Sequence, residues 1–186
     1  MVKTASSMVP LGFRAPDFSL HNPLTGESQS LDSLRGEDAT LVMFICNHCP
    51  YVKHITHELA QLGKQYHGPS VGMIAINSND AEVYPDDSPE NMVIEAGKHG
   101  YTFPYLYDHT QEVARAYQAQ CTPDFFIFDK DLHCVYRGQL CDSRPGNGIE
   151  VTGRDLRTAL DKLLAGEPVP EEQTPSIGCN IKWKNA

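Results

Sequence analysis

The stretch Leu41-Val-Met-Phe-Ile-Cys46-Asn-His-Cys49-Pro-Tyr51 decides how this chain is read. It opens on an unbroken apolar run, residues 41–45. A run of that length fits a strand covered on both faces, as in a parallel sheet. It closes on two cysteines separated by two residues. From Cys49 onward the apolar residues Val52, Ile55, Leu59, Leu62 and Tyr66 recur in steps of three and four, which predicts one amphipathic helix over 49–66. Gly68 and Pro69 stop it, and residues 71–76 read as a second buried strand. The dithiol thus stands where a buried strand turns into a helix, inside a strand–helix–strand unit.

Working outward, residues 15–20 begin a strand, Pro23-Leu-Thr-Gly26 is a turn, and residues 29–31 pair back as a short hairpin. Leu34-Arg-Gly36 ends a helical turn. Residues 80–87 form an acidic loop. Ser88 and Pro89 start a helix, as N-cap and first helical residue, that runs to about Gly100. A short strand over 103–107 and a short helix over 112–119 follow. Residues 124–128 and 134–140 form an antiparallel hairpin, and a last helix over 152–164 stops at Gly166. The predicted fold is α/β: a central mixed sheet flanked by helices in three layers, with an N-terminal β-hairpin extension. The domain reading is an extended, poorly anchored arm over 1–14, one domain over 15–166, and a tail over 167–186 that packs on it.

The bulk properties set limits on partners. The chain has 186 residues, enough for one domain with a proper core, and a formal net charge of −9. That charge argues against nucleic acid and anionic membranes as partners. The first ten residues hold no apolar run of signal-peptide length, so a cytoplasmic location is the expectation. Six cysteines are present, and only Cys46 and Cys49 are closely spaced. Cys134 and Cys141 lie an odd number of residues apart along one predicted strand, so their side chains face opposite ways.

Cys46 is expected at or just before the helix N-terminus and Cys49 one turn inside it. A dithiol at this spacing can close into a disulfide, and exposed N–H groups at a helix start favour a thiolate at Cys46. The thiolate is the attacking species in disulfide exchange. His48, between the cysteines, would favour that thiolate further and make the pair a better oxidant. The competing reading is half of a zinc site, with Cys46 and Cys49 joined by His54 or His57 from the same helix.

Four features together resemble the thioredoxin superfamily, and more closely its peroxiredoxin-like AhpC/TSA branch. They are Gly12-Phe-Arg-Ala-Pro-Asp-Phe-Ser-Leu20, Cys46-Asn-His-Cys-Pro50, Thr122-Pro123 ahead of a strand, and the C-terminal segments. The last comprise Tyr136-Arg-Gly138, Asp142-Ser-Arg-Pro-Gly-Asn147 and Gly178-Cys-Asn-Ile-Lys-Trp-Lys184. The resemblance implies a thioredoxin-like fold. It implies that Cys46 is the nucleophile, Cys49 the resolving thiol, and Pro123 a cis-proline beside them. Thr122 would then offer its backbone to an extended substrate. The chain departs from peroxiredoxins at Met43, where that group carries a peroxide-orienting Thr or Ser. It departs from the wider superfamily at Ile45, in place of Trp, and at His48, in place of Pro.

The function expected from these residues is thiol–disulfide exchange through Cys46 and Cys49, with a protein or small-molecule disulfide as substrate and a thiol as reductant. The alternatives are a thiol-dependent peroxidase and a non-enzymatic metal-binding module using Cys46, Cys49 and His54. No cofactor and no resident metal are expected, and the chain is expected to be a monomer or weak dimer. Cys121, next to Thr122, is a candidate third redox thiol, and Cys179 a further one. Arg137 and Arg144 are candidate anion ligands or solvated loop residues. Trp183 is positioned to cover an apolar patch.

Overall fold

A computed structural model describes residues 3–184 of the chain. Met1 and Val2 of the N-terminal arm, and Asn185 and Ala186 of the tail, lie outside the described residues. The chain runs through β1 (Lys3–Ala5), β2 (Ser19–Asn22), β3 (Glu27–Ser30), α1 (Leu31–Leu34) and β4 (Ala39–Phe44). Next come α2 (Pro50–Lys53), α3 (Thr56–Tyr66), β5 (Val71–Asn77), a 3-10 turn (Pro85–Asp87) and α4 (Pro89–His99). The second half comprises β6 (Tyr105–Tyr107), α5 (Glu112–Ala116), β7 (Cys121–Thr122), β8 (Asp124–Asp129), β9 (Cys134–Gly138), α6 (Arg154–Leu164) and β10 (Ile177–Asn180).

The main sheet has seven strands in the order β3-β2-β6-β5-β4-β8-β9. β4, β5 and β6 are parallel, and the flanking pairs are antiparallel, so the sheet is mixed as predicted. Every residue of β4 and β5 is buried, which is why both read as continuous apolar runs. Alternate residues of β4 feed opposite cores. Leu41 and Met43 join Ile55, Leu59, Leu62, Leu156 and Leu160 on one face. Val42 and Phe44 join Leu31, Ala114, Tyr117, Phe126 and Phe128 on the other. Cys141 belongs to the first core and Cys134 to the second, but β9 ends at Gly138, so Cys141 lies beyond the strand and the predicted alternation does not place it.

Local signals hold at α4. The Ser88 hydroxyl accepts from the Asn91 N–H at 3.4 Å, Pro89 takes the first helical position, and Gly100 closes the helix with a left-handed φ of 70°. The predicted single helix over 49–66 is instead two. After α2 the chain tightens into an i→i−3 bond, Ile55 N–H to Val52 C=O at 2.9 Å, and α3 starts afresh. The apolar period continues across this break because Val52, Ile55, Leu59 and Leu62 all still face one core. No helix among the described residues is long and apolar enough to cross a membrane.

The largest departures from the sequence reading are at the ends of the chain. The N-terminal arm is not poorly anchored. β1 pairs with β10, and β10 pairs with β7, in a second sheet of order β1-β10-β7. The tail is thus a strand as well as a cover. Gly178 makes this possible, because a Cβ there would stand 2.0 Å from the Thr122 carbonyl oxygen. Gly178→Ala is expected to destabilise the protein by roughly 1–3 kcal/mol through overpacking against backbone. Urea unfolding measures this, and an unchanged midpoint would show that β10 does not lie against Thr122.

Candidate active site

β4 ends at Phe44 and delivers Cys46 and Cys49 to its C-terminal edge. Pro50 is the first residue of α2, so Cys49 is its N-cap and Cys46 lies three residues earlier. This corrects the placement of Cys49 one turn inside a helix. The helix end favours charge at Cys49 rather than at Cys46. All six cysteines are buried thiols, Cys46 at 2 % exposure and Cys49 at 0 %.

Across from them the Thr122–Pro123 peptide is cis, as the resemblance implied. The Thr122 side-chain oxygen lies 3.1 Å from Cys46 Sγ, and the Cys49 thiol points at the Thr122 carbonyl oxygen at 3.3 Å. Cys46, Cys49, Thr122 and Pro123 therefore meet. Cys121 does not join them. Strand alternation turns it away from Thr122, and its sulfur donates to the Pro123 carbonyl at 3.7 Å. The tail thiol placed beside the pair is Cys179 of β10, which shares a core with Cys46 and Cys49 and stands opposite Thr122 in register.

Burial raises the Cys46 thiol well above its ordinary value, with the hydrogen bond to Cys49 and the Asp87 charge adding to the rise. The hydrogen bond from Cys46, helped by one from Cys179, outweighs burial at Cys49 and lowers it to about 5. The two sulfurs therefore share one proton, and the lowered value belongs to the pair rather than to one sulfur.

Residues from the acidic loop enclose His48. Asp87, fully buried in the 3-10 turn, stands 2.5 Å from His48 Nδ1. It also accepts from the Asn47 N–H and the Asn79 side-chain amide, each at 2.7 Å. Burial would raise this carboxyl, but these hydrogen bonds outweigh it and hold it below its usual value. Its negative charge opposes any help His48 gives to a Cys46 thiolate. Tyr84 lies flat on the imidazole, with ring centres 5.4 Å apart and 8° between planes. Tyr105 donates to the Asn47 side-chain carbonyl at 2.9 Å. Sequence reasoning missed Asp87 because one acid in an acidic loop carries no mark of burial. It also missed Asp124, fully buried beside Pro123, whose carboxyl burial pushes well up.

Cys46, His48 and Asp87 each offer a donor atom within 4.8 Å of the others, enough for three metal ligands. The metal set drawn from sequence is not assembled, since His54 Nε2 is engaged with the Ser143 hydroxyl at 2.7 Å. The two candidate anion ligands are tied into the fold. Arg137 donates to the Val9 carbonyl at 2.6 Å and Gln173 at 2.7 Å, and Arg144 donates to the Cys141 and Ser143 carbonyls. Neither is a solvated loop arginine. Arg115 stacks on Trp183, 4.3 Å from the ring centre.

The sequence profile of the AhpC/TSA family matches residues 11–137. Two solved structures are similar over nearly their whole length. An uncharacterized conserved protein from Geobacillus kaustophilus is 61% identical, with a TM-score of 0.98, over 100% of this chain and 98% of that one. A hypothetical protein from Sinorhizobium meliloti 1021 is 47% identical, with a TM-score of 0.95, over 98% and 100%. The thioredoxin domain of a thiol-disulfide oxidoreductase from Bacteroides vulgatus is 16% identical, with a TM-score of 0.59, over 74% and 91%. That likeness makes the fold thioredoxin-like. No curated protein matches the chain.

Ultraviolet absorbance of the reduced protein is expected to report one thiolate at neutral pH that is lost as pH falls through about 5. Because the folded value lies below the ordinary thiol value of 9.0, the stability this ionisation contributes is complete above that value and is lost progressively as pH falls from it to about 5. Cys49→Ser should abolish the signal. A reduced protein with no thiolate at neutral pH would contradict the shared-proton assignment.

Proposed function

Because the chain belongs to the AhpC/TSA family, we propose that it is a thiol–disulfide oxidoreductase in which Cys46 and Cys49 cycle between dithiol and disulfide. The observation that carries this reading is the contact of both thiols with Thr122, beside cis-Pro123, at the end of a buried parallel strand. Buried thiols in simple packing contacts have raised values, as Cys134 does, where burial pushes the thiol up to about 12. The Cys46–Cys49 pair instead has one value lowered to about 5, the mark of a dithiol that ionises readily for exchange.

The chemistry follows from the shared proton. Cys46 passes its proton to Cys49 and attacks one sulfur of a substrate disulfide, whose S–S bond breaks. The departing thiolate takes the proton from Cys49. The Cys49 thiolate then attacks the Cys46 sulfur, forming Cys46–Cys49 and releasing the second substrate thiolate, which takes a proton from water. The substrate is reduced and the pair oxidised, and a thiol reductant restores the dithiol. β10 already covers the edge of β7, so the substrate that needs no strand displaced is a small disulfide. The peroxidase alternative is disfavoured by Met43, a fully buried core side chain where a peroxide-orienting hydroxyl would be needed.

Reduction of 2-hydroxyethyl disulfide and of insulin, with a thiol donor, tests the proposal. The wild-type chain is expected to reduce the small disulfide faster, and Cys46→Ser to lose both activities. Equal rates for wild type and Cys46→Ser would overturn it.

A further inference from the structure

The edge that an extended substrate would use is occupied by the chain itself. In antiparallel register, Thr122 faces Cys179 and Cys121 faces Asn180. Gly178 has no Cβ to hold this strand off the Thr122 carbonyl. α2 packs against β10, and Cys49 and Cys179 share one core. Cys46, Cys49 and Cys179 are consequently enclosed together around Thr122, which meets the first two through its hydroxyl and carbonyl and the third across the strand pairing. The strand is held on both sides. Asn79 accepts from the Lys182 N–H at 2.8 Å, Asp80 donates its N–H to the Lys182 carbonyl at 2.9 Å, and Ser6 donates its N–H to the Ser176 carbonyl at 2.9 Å.

We propose that Cys179 is an internal disulfide partner of Cys49, so that β10 acts as a built-in substrate strand and the oxidised protein exchanges between Cys46–Cys49 and Cys49–Cys179. The proposal rests on the redox reading of Cys46 and Cys49. In the step, Cys179 gives up its proton and its thiolate attacks Cys49 Sγ. The Cys46–Cys49 bond breaks as Cys49–Cys179 forms, and Cys46 leaves as a thiolate that takes the proton from Cys179. There is no net oxidation, and the disulfide moves inward while Cys46 is returned as a thiol.

Burial pushes the Cys179 thiol up to about 12, and contact with Cys49 adds to the rise. Once Cys49 is in a disulfide it carries no charge, so that second cause disappears when Cys179 has to ionise. The Cys121 sulfur is instead turned toward the Pro123 carbonyl, at 3.7 Å.

Equilibration of the full chain with mixtures of glutathione and glutathione disulfide, followed by acid quench, alkylation and peptide mass mapping, tests this. Oxidised wild type is expected to contain both disulfides. Cys46→Ser and Cys46→Ala are each expected to form Cys49–Cys179, with two glutathiones released per glutathione disulfide consumed. Adding Cys179→Ser to either is expected to abolish that disulfide. If wild type forms Cys46–Cys49 alone and both single variants keep Cys49 and Cys179 alkylated in the same buffers, the internal partner is overturned while the redox pair stands. If wild type forms neither disulfide in any buffer, the redox reading fails and the inference with it.

Discussion

The backbone pairing of Cys179 with Thr122 is the contact on which the surroundings of the dithiol depend. Thr122 meets Cys46 through its side chain, Cys49 through its carbonyl, and β10 through its strand edge. β10 in turn carries β1 on its other edge, so both ends of the chain are tied to the site. The residues after β10 continue the tie. Lys182 bonds to Asn79, Asn79 bonds to Asp87, and Asp87 bonds to His48. A displacement of the tail is therefore felt at the imidazole between the two cysteines.

Electrostatics at the site follow from enclosure. A buried dithiol cannot ionise twice, because desolvation and mutual repulsion both oppose a second charge. At Cys46 burial is the main cause of the raised value, and the Asp87 carboxylate adds to it. At Cys49, the N-cap of α2, the neighbouring Cys46 and Cys179 thiols and the Val52 N–H outweigh burial and lower the value to about 5. A thiolate stabilised in the dithiol form makes its disulfide easier to reduce. In the proposed cycle that ease of reduction serves the step in which a thiol reductant restores the dithiol.

Much of this was legible in the sequence where one element explains itself. β4 and β5 announced themselves by continuous burial, α4 by Ser88 and Pro89, and the hairpin of β8 and β9 by its turn. The Cys46–Cys49 pair and Thr122-Pro123 were legible as a site because each sits at a recognisable junction. What was not legible depends on distant partners. β7 has two residues and β10 four, too few for a period, and they are strands through pairing with distant segments, β7 with β10 and β10 with β1 as well. Asp87 matched its acidic neighbours, and only the turn that buries it sets it apart. The break between α2 and α3 leaves the apolar spacing intact, so no pattern could mark it.

The most direct test of the central claim is the reduction potential of the Cys46–Cys49 pair in the wild-type chain at neutral pH. The expected result is a single two-electron transition, changing by about 30 mV for each tenfold change in the ratio of disulfide to dithiol. Its midpoint should lie above that of the same pair in the unfolded chain, because the fold stabilises the Cys49 thiolate. A pair that stays fully reduced, or fully oxidised, across the whole range of buffers would contradict the account.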